Sequence, residues 1–406
     1  MKLNTIFSLG LLAGAFTLPQ SKAIAQDPVK QDSTASKQAA DASFEQRMKL
    51  AQRPFSFLSF DYMEVTKGKE KLYLEVEAAW QKIHKKMAAD GKILSWGIAK
   101  ARKNKFDYDY VTWKLLRSRG ALDNLYDMDA IKESMGEGEF DELMAKTTES
   151  RRIVGSELME LEDYTLVPLT ETGQKVDPKN LLFHMDYMTP AQGKEHEYAE
   201  LERNIFQPRH QKSSELNPKF QYWRMLRKIS HSGKANEATY RTVNVFRKDV
   251  EALSDKEIQK MNSQIPALPD GLTFDDVMKM RKMERVTFDV VLMLDPSASA
   301  EAREWQKLQG SWKHTNQNGS YRIKRISPYR EVLENYSKDG IKQGSNVSPM
   351  KIEIKNGLKF FYSIHPNGIW RSIYHIKDGK WYEQLRGIFG ETNAKPNEFL
   401  IYDKIN

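Results

Sequence analysis

A long stretch of this chain occurs twice, and a duplicated sequence must fold into a duplicated unit. Phe60-Asp61-Tyr62-Met63 returns as Met185-Asp186-Tyr187-Met188, and Gly68-Lys69-Glu70 as Gly193-Lys194-Glu195. Tyr73, Glu75 and Glu77 return as Tyr198, Glu200 and Glu202, all displaced by the same 125 positions. The match resumes at Trp96 and Trp223, at Tyr110-Val111-Thr112 and Tyr240-Arg241-Thr242, and at Arg151-Arg152-Ile153-Val154 and Arg281-Lys282-Met283-Glu284. The small changes of offset belong in loops. Solenoid repeats run to about 20–50 residues, so a period this long marks a duplicated domain.

One copy shows what was duplicated. Phe55 to Val65 alternates and is rich in aromatics, which predicts a strand, and Lys67-Gly68-Lys69 predicts a turn. Leu72, Val76, Trp80, Ile83 and Met87 then recur at steps of three and four, an apolar stripe that has to lie against a sheet, and Asp90-Gly91 ends it. Ile93 to Ala101 and Tyr108 to Leu116 predict two strands, Leu122 to Met144 a less regular helical region, and Ile153 to Leu161 a fourth strand. Strand, helix, strand, strand, helix, strand is the split βαβ order, α+β in class, with both helices on one face of an antiparallel sheet. The first repeat spans residues 55–165 and the second 180–295. A sheet covered on one side leaves its other face bare, and burying that face against the second copy solves the problem within one chain.

This order, with its Gly-Lys-Glu helix start, resembles the ferredoxin-like unit of the dimeric α/β-barrel superfamily, which includes NIPSNAP proteins, antibiotic-biosynthesis-type monooxygenases and haem-degrading monooxygenases. The resemblance covers roughly residues 55–295. It implies an intramolecular pseudo-dimeric barrel, and an oxidoreductase or isomerase acting with haem or on an aromatic substrate as one functional alternative.

Tyr73, Glu77, Trp80 and His84 are the groups in the repeats most able to carry chemistry. At 100° per residue Tyr73 and His84 lie about 20° apart around the helix axis, so a Tyr, a Glu and a His can face one pocket. Such a set suits proton transfer or iron ligation. The second copy offers Tyr198, Glu202, Phe206 and His210, but Pro208 is expected to interrupt the helix and leave His210 on a loop. The competing role is packing, with Tyr and His at the margin of the helix and Glu on its solvated side. Asp61 and Asp186 are candidate strand carboxylates. His196 and Glu200 stand four apart with no third ligand evident, so no metal is assigned, and the sequence assigns no cofactor. No phosphate loop, Gly-x-Ser-x-Gly elbow or cysteine nucleophile is present.

From Leu308 the pattern changes to short strands punctuated by Asn318-Gly319, Asp339-Gly340, Asn356-Gly357, Asn367-Gly368 and Asp378-Gly379, the signature of an antiparallel meander. Strands are predicted at 321–326, 350–354, 358–364, 369–376, 381–388 and 399–402, closing into a small barrel over residues 303–406. Gly310-Ser311-Trp312 resembles the Gly-x-Trp start of lipocalins, which implies that Trp312 plugs the barrel, with Arg371 or Arg386 over its ring.

The remaining features bound the function. Met1-Lys2, the apolar run Ile6 to Phe16 and Ala23-Ile24-Ala25 form a signal peptide over residues 1–25, followed by a disordered linker, 26–50, rich in Gln, Ala, Ser, Asp and Lys. The chain has no cysteine, which excludes a lipid-anchored cysteine and disulfide staples; a periplasmic or secreted protein is expected. The formal charge of +8 includes Lys2 and Lys22 of the leader, and the bases are interleaved with 55 acidic residues, so nucleic acid is not an expected partner. No later stretch approaches the ~20 apolar residues of a membrane span. The expected function is binding of a small apolar or aromatic ligand, with Trp80, Trp96, Trp113 and Trp223 in the repeats and Trp370, Tyr374 and Trp381 in the last domain as candidate lining. An envelope protein partner is the remaining alternative. Whether the chain is an enzyme is left open by its sequence.

Overall fold

The computed structural model describes residues 55–102, 106–165, 177–233, 237–294, 300–327, 330–355, 357–365, 368–388 and 399–405. The leader and linker expected over residues 1–50 lie outside them. Among the described residues no helix is long and apolar enough to cross a membrane.

Two closed antiparallel barrels of eight strands follow one another. The first uses β1 (Phe57–Val65), β2 (Ser95–Ala101), β3 (Tyr110–Leu116), β4 (Arg151–Tyr164), β5 (Leu181–Pro190), β6 (Phe220–Gly233), β7 (Tyr240–Arg247) and β8 (Arg281–Met293). Around the barrel they run β4-β1-β3-β2 and then β8-β5-β7-β6, the ring closing through β2 on β8 and β4 on β6. Helix α1 (Glu70–Ala89) follows β1, and α2 (Met128–Met135) and α3 (Glu137–Ser150) precede β4. The matching places in the second half hold α4 (Glu195–Leu201), a π-helical turn (Glu202–Phe206), α5 (Gln207–Leu216), α6 (Asp255–Asn262) and α7 (Phe274–Met280). Gly68 and Gly193, before the first helix of each half, sit at φ 78° and 73°, where an L side chain is strained. That turn is the physical reason Gly-Lys-Glu occurs twice.

Strand alternation sorts β1 into two faces. Leu58, Phe60 and Tyr62 point into the barrel, where they pack with Val111, Met159, Phe183, Met185, Tyr187, Val243 and Phe288. An eight-stranded barrel is just wide enough for side chains to fill. Its interior includes a polar network: Glu157 accepts from the Tyr62 hydroxyl at 2.7 Å and from Arg241 at 2.5 Å, and Arg241 is fully buried. The two halves fill one equivalent interior position differently. In the first, Gly97 pairs with Trp113, and a Cβ on Gly97 would stand 2.3 Å from the indole; in the second, Arg224 pairs with Val243. A large residue faces a small one in both, from opposite strands.

The second barrel is a meander of β9 (Gly310–Thr315), β10 (Tyr321–Ser327), β11 (Arg330–Tyr336), β12 (Lys342–Lys355), β13 (Leu358–His365), β14 (Gly368–Lys377), β15 (Lys380–Ile388) and β16 (Phe399–Ile405), closed by β16 on β9. Gly319, Gly340, Gly357 and Gly379 take the positive φ that their turns require. Before it, α8 (Ala300–Leu308) sends Trp305 and Leu308 into the core beside Trp312, Met350, Phe361 and Trp381. Trp312 is buried and donates to the Leu308 carbonyl at 2.6 Å. The cation over its ring is Lys404, at 5.3 Å, and not Arg371, which lies over Phe360. The Arg386 side chain lies outside the described residues.

Candidate functional site

The opposite face of β1, with Ser59, Asp61 and Met63, meets α1. Tyr73, Val76, Glu77, Trp80, His84 and Met87 of α1 are all buried there. Tyr73, Glu77 and His84 thus form the centre of the buried face, and Glu77, expected on the solvated side, is 2% exposed. The layer tolerates this charge because every ionised group in it has a partner. Lys114 donates to Asp61 at 2.5 Å and Ser156 to its other oxygen at 2.6 Å. Arg151 pairs with Glu77 at 2.8 Å. His84 Nε2 meets the Tyr126 hydroxyl at 2.7 Å, while its ring stacks on Trp96 at 4.6 Å and 10°. Trp80 donates its indole N–H to Thr147.

Burial and pairing set the protonation states. Burial raises the Asp61 carboxyl, but the adjacent Lys114 ammonium outweighs it and the pKa ends below the ordinary range. Burial wins at Glu77, whose pKa is raised despite Arg151. Burial, helped by Lys114, pushes His84 down to about 3, so the imidazole is neutral near pH 7. A neutral, hydrogen-bonded His stacked on an indole is poorly suited to exchange protons with a substrate.

The second half repeats the constellation. Arg281 pairs with Glu202, Tyr198 is fully buried, and Asp186 is held by Arg285 at 2.5 Å with Thr242 and Asn244 nearby. His210 is on a helix, contrary to the expected loop. The π-helical turn over 202–206 absorbs the extra residue, and Pro208, which has no N–H to give, follows that widened turn. His210 therefore stacks on Trp223 at 5.2 Å and 18°, as His84 does on Trp96, and burial lowers its pKa to about 4.

The other candidates are dispersed. Trp113 lies inside the first barrel, edge-on to Phe183 at 5.8 Å. Tyr374 and Trp381 belong to the core of the second, and Trp370 is half-buried on β14. Glu200 is occupied by Arg203 and Asn204, and among the described residues no three metal-ligating side chains cluster. The sequence reading missed Lys114, Tyr126, Arg151, Arg281 and Arg285 as partners. The recurrence of Arg151 as Arg281 was the available signal for two of them.

An open space adjoins the first layer. A cleft of about 220 Å³ runs between α1 and α2–α3. Ala79, Ile83, Met87, Leu125, Ile131 and Met135 give it an apolar floor, and Lys82, Lys86 and Lys92 stand on its α1 side. Haem, which the superfamily resemblance raises, does not fit these residues. His84 has its Nε2 engaged by Tyr126, His210 is wedged among Phe206, Phe220 and Trp223, and the cleft is below the roughly 300–1,000 Å³ of ordinary cofactor sites.

No protein-family model matches the chain. None of the curated proteins matches it. Among solved structures, similarity is found to an anthrone oxidase-like protein (12% identity, 60% of this chain and 94% of that one, TM-score 0.32). A heme-binding protein from Thermus thermophilus gives 14%, 63%, 96% and 0.31 in the same order. A chlorite dismutase from Candidatus Nitrospira defluvii gives 10%, 61%, 95% and 0.34. Likenesses at this level carry no argument about activity, and the site is read from its own residues.

Proposed function

We propose that the protein binds a small apolar or aromatic molecule in the cleft between α1 and α2–α3. The supporting observation is an apolar-floored space of about 220 Å³ beside a layer whose acids and bases are already paired. A dry cavity of about 150 Å³ holds benzene, so this cleft has room for one substituted ring or a short alkyl chain. The test is a titration of the full chain with fluorobenzene followed by ¹⁹F NMR, in the parent and in Ala130→Trp, which fills the cleft from the exposed side of α2. Binding lost in the variant supports the reading; binding unchanged, or absent at millimolar probe, overturns it. An oxidoreductase or isomerase role ranks second, because His84 and His210 are held neutral and packed. An envelope-partner role is supported by Phe274 and Met278, 59% and 53% exposed one turn apart on α7.

We also infer that the first barrel is a duplicated ferredoxin-like unit closed on itself as a pseudo-dimer. Its support is the shared arc order and the matched Asp61/Asp186, Tyr73/Tyr198, Glu77/Glu202 and Arg151/Arg281. The first 25 residues support export to the periplasm or beyond; a mature chain beginning at Gln26, read by intact mass, tests it.

A further inference from the structure

The two halves of the first barrel share the residues that seat the first helix of each half on the sheet and differ in the residues that line the cleft. Tyr73, Glu77 and His84 return as Tyr198, Glu202 and His210. In the register that joins His84 to His210, Lys82, Ile83 and Met87 of the cleft stand opposite Pro208, Arg209 and Ser213. The duplicated frame folds without a lysine or an apolar floor at these positions. Only the first half has both.

The charged groups of the cleft differ in what already engages them. Lys86 pairs with Asp90 at 3.1 Å at the end of α1, and Asp127 caps α2 by accepting from the Ala130 N–H at 3.0 Å. Among the described residues, Lys82 and Lys92 have no carboxylate within ion-pair distance, and Glu139 has no cation. Gly91, at φ 77°, turns the chain after α1 so that the Lys92 N–H donates to the Met87 carbonyl at 2.9 Å, which fixes the Lys92 backbone beside the cleft. Two free ammonium groups thus stand on the α1 wall, against one free carboxylate on the α3 wall.

An apolar floor with free cations along one margin matches a molecule that is apolar over its body and anionic at one end. Resting on the reading of the cleft as a binding site, we propose that its ligand is a small carboxylic acid with an aromatic or short alkyl body. Lys82 and Lys92 take the carboxylate, and Ile83, Met87 and Ile131 seat the body. The carboxylate lies at the exposed margin, where it keeps part of its hydration, while burial of the body supplies the apolar contribution. Glu139 repels the carboxylate from the α3 wall and so sets the orientation. A neutral ring gains the burial alone, and a ring bearing an ammonium meets Lys82 and Lys92 as like charges. Exposed ion pairs are individually weak, so two together give the acid an advantage of roughly tenfold over the neutral ring.

The test is a ¹⁹F NMR titration of the full chain near neutral pH with 4-fluorobenzoate, fluorobenzene and 4-fluorobenzylammonium. It is run in the parent, in Lys82→Met combined with Lys92→Met, and in Ala130→Trp. The expected result is 4-fluorobenzoate bound roughly tenfold tighter than fluorobenzene, with the ammonium weakest. In the double lysine variant the advantage of the acid should fall below about threefold while fluorobenzene affinity is unchanged, since methionine keeps an apolar stem without the charge. Fluorobenzene bound as well as or better than 4-fluorobenzoate overturns this proposal and leaves the cleft as a site for neutral rings. An acid preference that persists in the double lysine variant, or acid binding that survives Ala130→Trp, overturns it as well. Failure of all three probes overturns the proposal together with the reading of the cleft. Near-ultraviolet circular dichroism verifies that each variant is folded.

Discussion

In the first half of the first barrel, Asp61 takes its cation from β3, as Lys114, and a hydroxyl from the β4 residue that faces it, Ser156. In the second half, Asp186 takes its cation from the facing β8 residue, Arg285, and neutral groups from β7, Thr242 and Asn244. Asn244 stands where Lys114 does, and Arg285 where Ser156 does. What the two halves share is therefore the local charge balance around a buried carboxylate, and the strand that supplies the cation is free to change. The exchange at Gly97/Trp113 and Arg224/Val243 is the same lesson in volume.

The comparison breaks most visibly at the cations. Lys114→Met should destabilise the full chain by about 3–5 kcal/mol, because it strands a buried carboxylate. Arg285 is half exposed and leaves Thr242 and Asn244 behind, so Arg285→Met should cost about 1 kcal/mol. Urea unfolding of both variants measures the difference, and equal losses would show that the two aspartates are not in contrasting settings. The double change Lys114→Asn with Ser156→Arg installs the second half's solution in the first. It should recover more than half of the Lys114→Met loss, and a double variant no better than Lys114→Met would refute interchangeability.

Gly97→Ala should cost about 1–3 kcal/mol by overpacking against Trp113, and adding Trp113→Val should return most of it. Thermal melts decide this. A separate effect concerns acid. Folded-state pKa values of about 3 for His84 and about 4 for His210 lie below the ordinary 6.5, so the unfolded chain binds protons that the folded chain refuses. The contribution of both histidines is complete above pH 6.5 and is lost as pH falls toward 4 and then 3. His84→Phe, which keeps a ring on Trp96, should flatten the decline in melting temperature between pH 6.5 and 4.5; an unchanged slope would show that His84 is not held neutral.

Much of the first barrel was legible because duplication prints the same constraint twice. Gly68 and Gly193 mark a positive-φ turn, and Tyr73/Tyr198 and Glu77/Glu202 mark the helix face that meets the sheet. Lys114 was not legible for the converse reason: its counterpart is Asn244, and a compensated exchange erases the match. His210 was misplaced because a π-helical turn has no sequence signature beyond an extra residue. In the second barrel the turns announced the meander, but β9 was given only as a Gly-x-Trp opening and β11 was missed. Its inward Glu331 and nearly buried Glu334 break the apolar alternation by which a strand is read. The burial of Trp305 and Leu308 of α8 is a product of closure, visible only once strands distant in sequence are neighbours.

The helix α8 has a consequence for taking the molecule apart. It closes one end of the second barrel with Trp305 and Leu308, while Glu301 forms a forked pair with Arg117 and Arg303 donates to the Ala89 carbonyl, both on the first barrel's side. A fragment cut at residue 310 would lose its stopper, and one cut at 300 would carry a stopper whose anchors were left on the other piece. The junction behaves as a rivet through two plates, and neither plate is finished without it.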